Sequence, residues 1–201
     1  MNVYDFDNTI YDGESGLGIF LHFFKKDPFG VFKYVGKFGE GFIKYKRNLI
    51  QIDDVKNEYG YMLKDYLAKV DNLESELEKF WDRHEKRIKP FYETVRKDDD
   101  IIVSACPEPM LKIMLKRMGI DESRMIGTEV DLSTGEIGRV NYRENKAKAF
   151  KEIFPDAEID DFYTDSISDA PLMEMAKRVF MVKGDRITEF DYKAYKEGQN
   201  K

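Results

Sequence analysis

Two carboxylates stand close to the start of the chain, Asp5 and Asp7, in the run Asp5-Phe6-Asp7-Asn8-Thr9. On extended backbone, residues two apart face the same way, so the two acids share one side. They follow a short apolar stretch, Val3-Tyr4, and precede Asn8, Thr9, Ile10 and Gly13. That context predicts a position just past the C-terminal end of a strand, where open α/β sheets hold ligands. Like charges this close are tolerated when a cation joins them or when one keeps a proton. The spacing therefore points to a metal-assisted site or an acid/base pair, with a polar strand end as the plain alternative.

Further along, other side chains able to do chemistry recur at ends of expected elements. Ser104 lies near the end of an apolar, β-branched run over 101–105, of the kind buried in parallel sheets. Lys146 lies at the first turn of an expected helix over 145–154, with Lys148 and Lys151 as rivals nearby. Asp165 and Asp169 follow an expected strand over 162–164, and Asp169 could equally cap the helix after it. Ser166 reads as a cap, Cys106 as a small buried apolar residue, and Asp98-Asp99-Asp100 as a solvated loop.

Composition narrows the chemistry. With 201 residues, 42% of them apolar, the chain suffices for one domain or a core with an insert. A net charge of −6 argues against nucleic acid as a partner. One cysteine excludes an intramolecular disulfide, and two distant histidines, His22 and His84, argue against a His-rich zinc site. Any metal should be a hard ion on Asp oxygens, Mg²⁺ first. The longest apolar stretch, 17–24, is too short to span a bilayer, so no integral membrane segment is expected. Met1 leads straight into the first strand, so no secretory leader is expected, and the location implied is cytoplasmic.

The elements that must position these groups alternate strand and helix, which predicts a Rossmann-like parallel α/β sheet. A helix is expected from Pro107 and Glu108 to Gly119, a hairpin over 125–140, a helix over 170–178 and a strand over 179–183. From Arg186 onward the sequence offers no element. Between the first strand and the run ending at Ser104 lie nearly a hundred residues, against the dozen or so a crossover needs. Most of residues 14–87 reads as helical, with a stripe at Leu73, Leu77, Phe80, Trp81, His84 and Ile88. The expected organisation is a core of 1–13 and 88–201 with a helical cap over 14–87, inserted beside the acidic pair as a lid.

Asp5-Phe6-Asp7-Asn8-Thr9, Ser104 after Ile102-Val103, Lys146 in Glu144-Asn145-Lys146, and Asp165-Ser166-Ile167-Ser168-Asp169 occur in that order. The set resembles the four motifs of the haloacid dehalogenase superfamily of phosphohydrolases, and the insert after the first motif resembles its phosphoserine-phosphatase-like branch. The resemblance implies a phosphomonoester hydrolase with Asp5 as nucleophile, Asp7 as acid and base, and Lys146 balancing charge. It implies Mg²⁺ on Asp5, the Asp7 carbonyl and Asp165, with Asp169 as a further ligand or as a support behind the ligands, and with Ser104 and Thr9 at the phosphate. Glu14, nine residues after Asp5, would gate the site or hold a substrate amine, and Arg47 is a poor match for a carboxylate-binding cap arginine. Thr164 stands where that family usually has glycine. The implied partner is a small-molecule phosphate ester; a phosphotransferase or a non-catalytic phospho-ligand binder are the alternatives, and oligomeric state is not readable.

The insert departs from a pocket for a small amino acid. Across 17–50, seven basic side chains face two acidic ones, a local balance of +5, interleaved with nine aromatic residues. Such a segment reads either as an aromatic core with a solvated basic face or as a receiver for an amphiphilic phosphate ester.

Overall fold

The computed structural model describes residues 1–32, 36, 40, 44 and 52–199. Six strands form one sheet among them: β1 (Asn2–Tyr4), β2 (Ile101–Pro107), β3 (Met125–Thr128), β4 (Ile159–Thr164), β5 (Ala176–Lys183) and β6 (Arg186–Glu189). Their order is β3-β2-β1-β4-β5-β6, parallel throughout except for β6. Between β1 and β2 lie α1 (Ser15–Lys26), α2 (Ile52–Leu67), α3 (Leu73–His84) and α4 (Pro90–Val95). Then come α5 (Glu108–Arg117) after β2, α6 (Glu144–Ile153) before β4, α7 (Ala170–Met173) before β5 and α8 (Tyr192–Gln199) after β6. This is the expected Rossmann-like α/β class. No helix of the described residues is long and apolar enough to cross a membrane.

Alternation along the strands builds two cores, one on each face of the sheet. Val3, Ile101, Val103, Phe162 and Val179 turn to one face, under α6 and α7 through Ala147, Phe150, Leu172 and Met173. Tyr4, Ile102, Tyr163 and Val182 turn to the other, against Met110, Leu111 and Met114 of α5 and Tyr92 of α4. On that second face Tyr4 stacks on Tyr163 at 4.6 Å and Tyr163 on Phe180 at 4.8 Å, a column crossing β1, β4 and β5.

The chain leaves for the long helical excursion and returns from it along one seam. Asp12 N–H donates to the Arg87 carbonyl and Lys89 N–H to the Ile10 carbonyl, both at 2.8 Å. Gly13 sits in this seam with φ of 150°, and a Cβ there would meet the Arg87 guanidinium at 2.6 Å. Helix α3 is pinned to α5: Trp81 donates its indole N–H to the Met110 carbonyl at 2.8 Å. Arg117 of α5 adds ion pairs to Glu78, Asp82 and Glu85.

Several expectations need correction. The hairpin over 125–140 is present in its outer part, where Glu129 N–H donates to the Arg139 carbonyl at 3.0 Å, Asp131 N–H to the Glu136 carbonyl at 2.9 Å, and Val130 bridges Ile137. Its first residues, Met125 and Ile126, pair in parallel with Ile102 and Val103. Both side chains are buried, as a strand covered on both faces requires. The helix over 170–178 stops at Met173, and β5 begins at Ala176. There Arg178 lies in register with Asp161 of β4 and pairs with it through two bonds of 2.7 Å, so sheet pairing overrides helix propensity. The tail is ordered into β6 and α8, the β5–β6 turn passing through Gly184 at φ 58°. Asp100 is buried, its carboxylate accepting the Lys97 N–H at 2.7 Å, and is not a solvated loop residue. Arg47 lies outside the described residues, as do Lys33, Lys37, Lys46, Tyr34, Phe38, Phe42 and Tyr45 of the basic, aromatic stretch.

Candidate functional site

The strand ends bring the acidic residues together. Tyr4 pairs with Tyr163 and with Ile102, and Asp5 N–H continues the ladder to the Tyr163 carbonyl at 2.9 Å. Asp5 thus leaves β1 level with Thr164, while Ser104 emerges from β2 just beyond it. Lys146, in the first turn of α6, is buried, with its ammonium 2.6 Å from Asp5 Oδ1 and 2.9 Å from Asp169 Oδ2. Lys148 and Lys151 are exposed on the same helix.

The remaining contacts organise the two halves of the acidic pair differently. Asp5 accepts from Thr9 Oγ1 at 3.3 Å. Asp7 turns away from Lys146 toward the start of α1, where Ser15 N–H donates to Oδ1 at 3.0 Å and Ser15 Oγ to Oδ2 at 2.9 Å. Asn8, at φ 57°, makes the reversal between them and donates its amide to Glu14 Oε1 at 2.7 Å. Glu14 is exposed at the mouth, and its field contributes to raising the Asp165 carboxyl. Asp169 precedes α7 without capping it through its side chain; it accepts instead from Lys146 and from Thr164 Oγ1 at 2.9 Å. The hydroxyl standing where the family usually has glycine therefore orients a site carboxylate. Ser104 Oγ accepts the Cys106 N–H at 3.0 Å, which leaves its own hydrogen available for donation.

Electrostatics show what this arrangement lacks. Two buried carboxylates, Asp5 and Asp169, share one ammonium, so the trio lacks one positive charge unless a carboxyl keeps its proton or a cation joins it. Burial pushes the Asp5 carboxyl up to about 8 against the pull of Lys146, with Asp169 adding to the rise. Burial also lifts Asp7 to about 6, opposed by the Ser15 bonds, and raises Asp165, with Asp169 and Glu14 adding to it. Lys146 is buried, which opposes its charge, but Asp5 and Asp169 outweigh this and hold it charged. Desolvated carboxylates beside one fixed cation suit a site where negative charge must be handled.

Three positioning groups escaped the sequence reading. Ser15 holds Asp7 through both backbone and hydroxyl; a capping-type residue at a helix start was the available signal. Lys89 is buried and donates to the carbonyls of Asn8 and Gly184, tying the loop after β1 to the β5–β6 turn. Asn141, also buried, donates its amide to the carbonyls of Ser104 and Ile126. Nothing local marks either Lys89 or Asn141 in the sequence.

The family model described as haloacid dehalogenase-like hydrolase matches residues 3–174. The chain belongs to that family. This haloacid dehalogenase-like chain is similar in fold to a protein of unknown function from Bordetella pertussis Tohama I, at TM-score 0.67 and 20% identity. That likeness covers 89% of this chain and 87% of the other. A phosphoserine phosphohydrolase-like protein from Francisella tularensis matches at TM-score 0.56 and 17% identity, over 89% and 86% of the two chains. A phosphoserine phosphatase in apo form matches at TM-score 0.54 and 16% identity, over 88% and 82%. No curated protein matches the sequence.

A haloacid dehalogenase-like site raises the question of a metal. Among the described residues no three His, Cys, Asp or Glu side chains converge into an all-protein cage. The donors near Asp5 are carboxylate and carbonyl oxygens, and the Lys146 ammonium stands 2.6 Å from Asp5 Oδ1 and 2.9 Å from Asp169 Oδ1. Hard oxygen donors, few side chains and missing positive charge fit Mg²⁺, which keeps several waters, and do not fit zinc.

Proposed function

We propose that the protein is a Mg²⁺-dependent phosphomonoester hydrolase acting on a small or amphiphilic phosphorylated metabolite through an aspartyl-phosphate on Asp5. The observation that carries this reading is Lys146, bonded at once to Asp5 and Asp169 from a third element. A nucleophilic carboxylate needs a cation that steadies it and then balances charge on the transferring phosphoryl group. Mg²⁺, when bound by Asp5, the Asp7 carbonyl, Asp165 and Asp169, would offset the repulsion between these carboxylates and a phosphate dianion.

In this scheme an Asp5 oxygen attacks phosphorus, the bond to the leaving oxygen breaks, and Asp7 gives that oxygen its proton. Water then attacks phosphorus, Asp7 takes the proton back, and the Asp5–phosphorus bond breaks to release inorganic phosphate. Asp7 suits both halves, since a carboxyl lifted to about 6 holds and returns a proton near neutrality. Ser104 and Thr9 donate to phosphoryl oxygens or to Asp5, and Glu14 stands at the mouth. Residues 14–87 act as a cap on a core of 1–13 and 88–201, an organisation supported by the seam joining Asp12 to Arg87 and Ile10 to Lys89. A cytoplasmic setting suits the free, buried Cys106 thiol.

Hydrolysis of p-nitrophenyl phosphate with and without Mg²⁺ tests this scheme. Wild type should turn over only with the metal, and Asp5→Asn should lose at least about 10³-fold in kcat. Turnover that survives Asp5→Asn would overturn the mechanism.

A further inference from the structure

Beside the catalytic loop lies a cavity of about 260 Å³. Its wall includes Phe20 and Phe23 of α1, Leu73 and Leu77 of α3, Met110 of α5 and Leu132, and among the described residues no charged side chain lines it. Two of its lining residues are chain neighbours of groups beside the reaction centre. Gly16 lines it and directly follows Ser15, the residue bonded to Asp7. Pro107 lines it and directly follows Cys106, whose thiol contacts the Ser15 hydroxyl. Because Asp7 delivers the proton to the leaving oxygen, the leaving group must lie on the Asp7 side, and there the walls turn apolar.

We propose that this cavity receives the leaving group of the substrate, and that the substrate is a phosphate monoester of an apolar alcohol. The inference rests on the hydrolase reading and adds the substrate class to it. A 150 Å³ apolar cavity accommodates benzene, so about ten carbon atoms fill one of 260 Å³. An amino-acid leaving group fits badly, since its ammonium and carboxylate would lose water here without gaining a charged partner among the described lining residues.

The test is calorimetric binding of n-alkylphosphonates from ethyl to decyl to the wild-type protein with Mg²⁺. Their P–C bond cannot be cleaved by this route, so binding is read without turnover. Affinity should rise roughly three- to fourfold per methylene until about eight to ten carbons and then level off. Gly16→Phe should erase the rise with chain length, because a Cβ at Gly16 meets nothing within 4 Å and the ring has space to enter. Leu132→Trp, which fills the cavity from the opposite wall, should do the same if Gly16→Phe does not fold. Equal affinity for ethyl and octyl chains, or a chain-length rise that both variants retain, would overturn the proposal. Failure to hydrolyse p-nitrophenyl phosphate would instead bring down the hydrolase reading, while the phosphonate series still decides the cavity.

Discussion

The floor of the site and the chamber beside it are built on opposite rules. On the floor, polar atoms are placed by directional bonds from different elements: Lys146 from α6, Thr164 from β4, Thr9 from the loop after β1. In the chamber, apolar side chains from α1, α3 and α5 enclose a volume with no directional contact to a ligand. The floor can therefore define a reaction but says little about what carries the phosphate. The chamber selects by size and hydration and contributes nothing to bond cleavage.

Breaking the floor should have the largest effect. Lys146→Met keeps the bulk of the side chain but leaves Asp5 and Asp169 buried without their shared cation. Removing one partner of such a group costs roughly 3–5 kcal/mol of stability. Urea unfolding at neutral pH should show that loss, and p-nitrophenyl phosphate turnover should fall by at least about 10³-fold. A variant of wild-type stability would mean the ammonium is not the charge that holds this cluster. Mg²⁺ should partly restore the stability of Lys146→Met if the metal supplies the missing positive charge.

A smaller effect is expected one bond further out. Thr164→Val preserves the β-branched shape in β4 but removes the hydroxyl that donates to Asp169. Loss of a bond that orients a ligand carboxylate typically costs 10–100-fold in metal affinity or activity. The Mg²⁺ concentration giving half-maximal turnover should rise by about that factor. Unchanged Mg²⁺ dependence would place Asp169 with Lys146 alone and outside the metal's reach.

The same contrast explains what could be read beforehand. Asp5, Asp7, Ser104 and Asp165 were legible because reactive residue types fell at the ends of β-branched, apolar runs, and strand ends converge in a parallel sheet. Lys146 was singled out among three lysines only by its place in the first turn, and it is the one of the three buried against Asp5. The chamber was not legible: Phe23, Leu77, Met110 and Leu132 come from distant segments and are ordinary core residues in each. The short α7 was missed because Ala176 to Arg178 has helical propensity that pairing with Ile159 and Asp161 overrides. The final hairpin was missed although Gly184-Asp185 between two alternating runs is a turn signal.

The smallest expected effect lies in the helices around the chamber, and it separates their stability from the chemistry. Glu76 of α3 is buried, with Lys26 and Lys79 each at 2.8 Å and His22 at 3.1 Å, and the Tyr66 ring of α2 senses its charge. Hydrogen bonds from Lys26 and then Lys79 hold its carboxyl down at about 2, below the ordinary 4.5. A carboxyl depressed in the folded state stabilises it above the unfolded value, and that contribution fades as pH falls from 4.5 toward 2. Glu76→Gln should accordingly cost about 1–2 kcal/mol at pH 7, a modest sum because both lysines are half exposed. Urea unfolding of both proteins between pH 7 and 2 should show the two curves converging at the acid end. A difference constant over that range would assign the loss to packing around residue 76 and not to its charge.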